Sequence, residues 1–120
     1  LASSNSPPAY QALIQGFQQR QPATRRYAAM AALDTADATV VPYLIVALHD
    51  RDAGVRRTSA EILGFRREAT AAEALLLATY DADARVREAS VWALGGDLAY
   101  WQALPRMQLL QSFRYGREHA

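Results

Sequence analysis

A chain of 120 residues, 51% of them apolar, carries enough material for one hydrophobic core. Its 13 positive and 12 negative charges leave a formal net charge of +1, so no global field draws it to nucleic acid or to an anionic surface. The absence of cysteine excludes a disulfide framework, a thiolate nucleophile and a Cys-ligated zinc or iron–sulfur site.

Every positive side chain is arginine, a planar fork suited to carboxylates and phosphates. Alanine is abundant, and only six Gly and five Pro are present, a balance that favours helices. No apolar run approaches the ~20 residues needed to cross a bilayer. At the start, Leu1-Ala2-Ser3-Ser4-Asn5-Ser6-Pro7-Pro8 reads as a flexible linker over residues 1–7 or as a freshly cut terminus. That leaves the compartment open between the cytoplasm and a secreted or membrane-tethered parent.

From residue 8 a 31-residue repeat organises the chain. It is plainest where Val41–Gly64 is set above Ala72–Gly95 without a gap. Leu44/Leu75, Ala47/Ala78, Asp50/Asp81, Asp52/Asp83, Ala53/Ala84, Val55/Val86, Arg56/Arg87, Ser59/Ser90, Leu63/Leu94 and Gly64/Gly95 coincide. A degenerate first copy over residues 8–33 places Leu13, Ile14, Arg20, Arg25, Arg26 and Ala29 under Leu44, Ile45, Arg51, Arg56, Arg57 and Ala60.

The second copy, 38–64, predicts two helices. Val41, Leu44, Ile45 and Leu48 fall at helical spacing, with Pro42 in a first turn that has no use for its missing N–H. The turn Asp50-Arg51-Asp52 follows, and Asp52 stands where an N-cap is wanted. Val55, Ser59, Ile62 and Leu63 then face inward until Gly64, read as the left-handed residue that stops the helix. The third copy, 69–95, repeats the scheme with Leu75, Leu76 and Thr79, the cap Asp83, inward Val86, Ser90, Ala93 and Leu94, and the stop Gly95. A two-helix unit of this size cannot bury its apolar faces alone, so the units must stack. Residues 96–120 are read as a capping helix or the start of a fourth repeat, with Leu104-Pro105 echoing Val41-Pro42. The fold class is therefore all-α: a short α-solenoid of about three helix pairs plus a C-terminal cap.

The segments Asp50–Gly64 and Asp81–Gly95 resemble the bacterial HEAT repeat of the phycobilisome-lyase type: an acidic turn, then Val-Arg, then alanines, then Leu-Gly. The resemblance covers Val41–Gly95 strongly and Tyr10–Leu33 weakly, and stops at Asp97. It implies a solenoid whose second helices line the concave surface. Such repeats serve in lyases, chaperone-like factors, glycosylases and plain adaptors, so the likeness specifies fold more than function.

Two sets of residues follow. Asp52 and Asp83 with Arg25, Arg56 and Arg87 form a repeated ladder, expected to be structural: Asp caps a helix, and Arg bridges carboxylates or carbonyls of the adjacent unit. The positions at which the repeats disagree on an outward face are expected to bind a partner. Register puts Met30, Glu61 and Trp92 in one row and Arg26, Arg57 and Glu88 in the row one turn earlier. Trp92 stands where the pattern prefers a charge. It reads either as an aromatic anchor or as a side chain covered by the C-terminal segment, whose Tyr100 and Trp101 join the candidate set. His49 and His119 stand apart from each other and from carboxylate clusters, so no metal, cofactor or catalytic residue is assigned.

The expected function is a non-catalytic scaffold or adaptor for a protein partner, part of a larger protein or assembly, with its oligomeric state open. A nucleic-acid backbone binder, using Arg20, Arg25, Arg26, Arg51, Arg56, Arg57, Arg66 and Arg67, is disfavoured by the interleaved carboxylates. A bilin-lyase-related chaperone-like factor is implied only by the repeat subtype.

Overall fold

The computed structural model describes residues 9–95, with side chains from Gln11 onward. The expectations for residues 1–7, Tyr100, Trp101, a helix over 98–115 and a fourth repeat lie outside the described residues.

Among the described residues six α-helices follow one another: α1 (Ala9–Phe17), α2 (Pro22–Ala31), α3 (Val41–Ala47), α4 (Ala53–Arg66), α5 (Ala72–Ala78) and α6 (Ala84–Ala93). Short 3-10 turns at Ala32–Asp34, Ala38–Val40 and Ala69–Ala71 lead between pairs, and no strand occurs among the described residues. The described residues thus fold as an all-helical solenoid of three helical hairpins, α1–α2, α3–α4 and α5–α6.

The caps explain where the second helices begin. Asp52 accepts from the Val55 N–H at 3.0 Å, and Asp83 accepts from the N–H groups of Arg85 and Val86 at 2.8 and 3.3 Å. These bonds satisfy donors that have no partner within the helix. In the degenerate first copy Gln21 holds the cap position without a side-chain bond, and Pro22 opens α2 instead. Pro42 likewise lies in the first turn of α3.

Packing divides the hairpins into two layers. Leu44, Leu63, Leu75, Leu76, Val40, Val55 and Val86 are fully buried between them. Within the inner layer α2, α4 and α6 approach through small buried residues, Ala29, Ser59, Ala60, Ser90 and Ala93. In the outer layer α3 and α5 barely meet. Contact between neighbouring hairpins is therefore made mainly by their second helices.

One expectation is corrected here. Gly64 does not stop α4, which continues to Arg66, and Arg67 takes the left-handed conformation at φ 54°. The N–H of Arg67 donates to the Gly64 carbonyl at 3.1 Å and that of Glu68 to the Leu63 carbonyl at 3.3 Å, the Schellman closure. Gly64 serves a close approach instead. A Cβ built there would lie 2.7 Å from Trp92 Cζ3 and 2.8 Å from the Cα of Ala93. Gly95, at φ +78°, does hold the left-handed position after α6.

The paired serines diverge in a testable way. Ser90 Oγ donates to the Val86 carbonyl at 2.7 Å, whereas the buried Ser59 Oγ has no hydrogen-bond partner among the described residues. Ser59→Ala therefore leaves stability unchanged or raises it by up to about 1 kcal/mol, while Ser90→Ala lowers it by about 1 kcal/mol. Urea denaturation of the two variants reads the difference; equal losses would show that Ser59 is bonded after all.

Candidate functional site

Two surfaces of this stack bring chemically active side chains together, and they differ in how far those side chains satisfy one another. The first is the edge formed by the turns within each hairpin. Arg25, Arg56 and Arg87 each occupy the fourth position of their helix, from which all three side chains reach the turn behind them and those of Arg25 and Arg56 also reach the next hairpin. Arg25 donates to the carbonyls of Gln19 and Arg20 at 2.8 and 2.6 Å. Its remaining edge grips Asp50 through Nε and Nη2 at 2.8 and 3.0 Å. Arg56 repeats this with the Asp50 carbonyl at 2.8 Å and the Asp81 carboxylate at 2.9 and 3.1 Å. Arg87 donates to the carbonyls of Asp81 and Ala82 at 2.8 and 3.0 Å.

The two acids of each turn therefore divide the work. Asp52 and Asp83 cap helices, while Asp50 and Asp81 receive the arginine of the preceding hairpin and accept the N–H of Asp52 and Asp83, each at 2.9 Å. Sequence reasoning named the capping pair and passed over Asp50 and Asp81 as the carboxylates of the ladder. The signal was present, since both acids repeat at the same 31-residue interval as the arginines. With both oxygens of each carboxylate occupied, the Arg25–Asp50 and Arg56–Asp81 pairs tie hairpin to hairpin. A further tie unseen in the sequence is Arg66, which pairs with Glu68 at 3.0 Å and donates to the carbonyls of Ala32, at 2.9 Å, and Thr35.

Three carboxyls are held below the usual range. Burial pushes Asp50 up, but the Arg25 side chain and the Asp52 N–H together more than reverse it. Asp83 is lowered by the Arg85 side chain, against burial, with help from the N–H groups it caps. Asp37 is lowered by the N–H and then the hydroxyl of Thr39. A depressed folded-state pKa contributes stability above the unfolded value, ~3.9 for Asp, that is lost as pH falls through the folded value. The urea midpoint should thus be insensitive to these groups above about pH 5 and fall below ~pH 4. Asp50→Asn should flatten part of that fall; an identical acid profile would mean Asp50 does not contribute to it.

The second surface is the inner-layer face between α4 and α6. Arg57, Glu61 and Phe65 follow one another at four-residue spacing along α4, and Glu88 and Trp92 do so along α6. With Arg85 and Ala89 they line a groove of about 390 Å³. Trp92 is 49% exposed and meets Phe65, 60% exposed, edge to face, with centroids 4.8 Å apart and planes at 62°. Arg57 lies 3.8 Å from Glu61, an exposed contact of little energetic weight. Arg85 turns back to Asp83 at 3.3 Å.

Of the residues singled out in the sequence, the groove unites Arg57, Glu61, Glu88 and Trp92. Arg26 and Met30 are exposed on α2 but do not line it. Phe65, Arg85 and Ala89 were missed. Phe65 escaped because α4 was ended at Gly64; two more residues of helix put it on the Arg57–Glu61 face. His49 is exposed, and no group of three or more potential ligands that could hold a metal ion occurs among the described residues. No helix among them is long and apolar enough to cross a membrane. No curated protein matches the chain. A family model described as HEAT repeats matches residues 10–95.

Proposed function

Because the chain belongs to the HEAT-repeat family, whose members generally mediate protein–protein interaction, we propose that it is a non-catalytic scaffold holding a protein partner on its concave face. We infer that it works as part of a larger protein or assembly, and that its repeats are of the phycobilisome-lyase-like type, on the Asp-x-x-Val-Arg pattern of Asp52–Arg56 and Asp83–Arg87. The observation that carries the reading is the groove between α4 and α6. There two exposed aromatic rings stand beside charged side chains on helices whose other faces are buried. Aromatic side chains in a concave setting are the usual anchors of protein interfaces.

The arginines favour a protein over a nucleic-acid backbone. Arg25, Arg56 and Arg66 are held in ion pairs with Asp50, Asp81 and Glu68, which takes three of the arginines that a nucleic-acid binder would use away from phosphates. Affinity capture from the source cells, with bound proteins identified by mass spectrometry, tests the proposal. The expected result is one partner retained by the wild type and by Val46→Asp, on the outer layer, but lost with Phe65→Ala/Trp92→Ala. Retention by the double variant would remove the groove from the interface.

A further inference from the structure

Within the groove the charges do not cancel evenly. Arg57 has Glu61 one turn along its own helix, and Arg85 has the Asp83 carboxylate behind it. Glu88 is exposed and makes no ion pair or hydrogen bond with any of the described residues. It stands one helical turn before Trp92, so its carboxylate and the indole share one face of α6. Phe65 props that indole edge to face, which limits its rotation while half of it stays open. The register sharpens the contrast. The row that reads Arg26, Arg57, Glu88 turns acidic only in the third hairpin, and the row Met30, Glu61, Trp92 becomes aromatic at the same place.

An aromatic face beside an unpaired carboxylate is complementary to one kind of group. The ring's quadrupole attracts a cation lying over it, and the carboxylate accepts that cation's N–H donors. A partner carboxylate would instead compete with Glu61 for Arg57 and with Asp83 for Arg85. A purely apolar side chain would leave Glu88 beside it without a partner. We propose that the groove receives a guanidinium or ammonium side chain of the partner protein, laid over Trp92 with its charge at Glu88. This rests on the concave-face reading above and names the chemistry of the residue that enters it.

The test uses the full 120-residue chain, immobilised, to select from a random peptide library displayed on phage. The expected outcome is enrichment of Arg or Lys over the starting library. The selected peptides, made synthetically, should lose about tenfold or more in affinity against Glu88→Arg and against Trp92→Leu. Neutral replacements, citrulline for Arg and acetyl-lysine for Lys, should weaken them equally. Glu88 is exposed, so Glu88→Arg is expected to fold, and circular dichroism checks that it does. Peptides that depend on Trp92 but carry no basic residue, or that bind Glu88→Arg undiminished, overturn the cation site and leave the concave-face reading standing. Failure to select any peptide sensitive to Trp92→Leu overturns both.

Discussion

Arg25→Ala lowers the folding free energy by about 3 kcal/mol, the low end of what breaking a buried ion pair costs. Arg25 is 6% exposed, and its side chain satisfies two carbonyls and both oxygens of Asp50. Removing it strands a carboxylate whose burial disfavours charge, and the first hairpin loses one of its polar ties to the second. The loss exceeds that from Arg87→Ala, put at about 1–2 kcal/mol, because Arg87 donates only to two carbonyls among the described residues. Chemical denaturation of both variants gives the comparison. If Arg25→Ala costs no more than Arg87→Ala, the bidentate carboxylate contact is not what gives the ladder its strength.

Gly64→Ala is expected to destabilise although helix propensity argues the reverse. A mid-helix glycine costs about 1 kcal/mol relative to alanine, so propensity alone would make the substitution favourable. The added Cβ, however, meets the backbone of Ala93 at 2.8 Å, and a backbone cannot rotate aside as a side chain can. Separating α4 from α6 by even a few tenths of an ångström disturbs the most extensive helix contact in the stack. Overpacking of this kind costs about 1–3 kcal/mol. The net loss for alanine should be about 1–2 kcal/mol, and for Gly64→Val more than about 3 kcal/mol, since branching adds two methyl groups to the same contact. Thermal melts are the direct measurement. A melting temperature for Gly64→Ala above the parent's would mean that the helices yield freely and that the close approach is incidental.

These two positions also show why some of the structure was legible before it was seen and some was not. Repetition made the fold readable. Leu44 and Leu75, Val55 and Val86, and the capping Asp52 and Asp83 recur at one interval, and each residue type suits a single role in a helix pair. Gly64 was misread because glycine answers two demands, a left-handed backbone and a missing side chain. Only the neighbouring helix decides which applies. That error shortened α4 and removed Phe65 from the face it shares with Glu61. Asp50 was overlooked for a related reason: two acids flank one turn, and the sequence does not say which one the preceding arginine reaches. The groove was half visible, through Trp92 and Glu88 breaking register, and half hidden, since its other wall depends on where a helix ends.

The Arg56–Asp81 contact has a mechanical meaning. It joins the second hairpin to the third, the same two hairpins whose inner helices form the walls of the groove. Each such contact spans one joint, beside the packing of the inner helices, so the stack is held as a short chain of links joined neighbour to neighbour. A guest held between α4 and α6 would strain the Arg56–Asp81 contact and not the Arg25–Asp50 one, so Asp81→Asn, which alters no residue lining the groove, is expected to change how readily the two walls part.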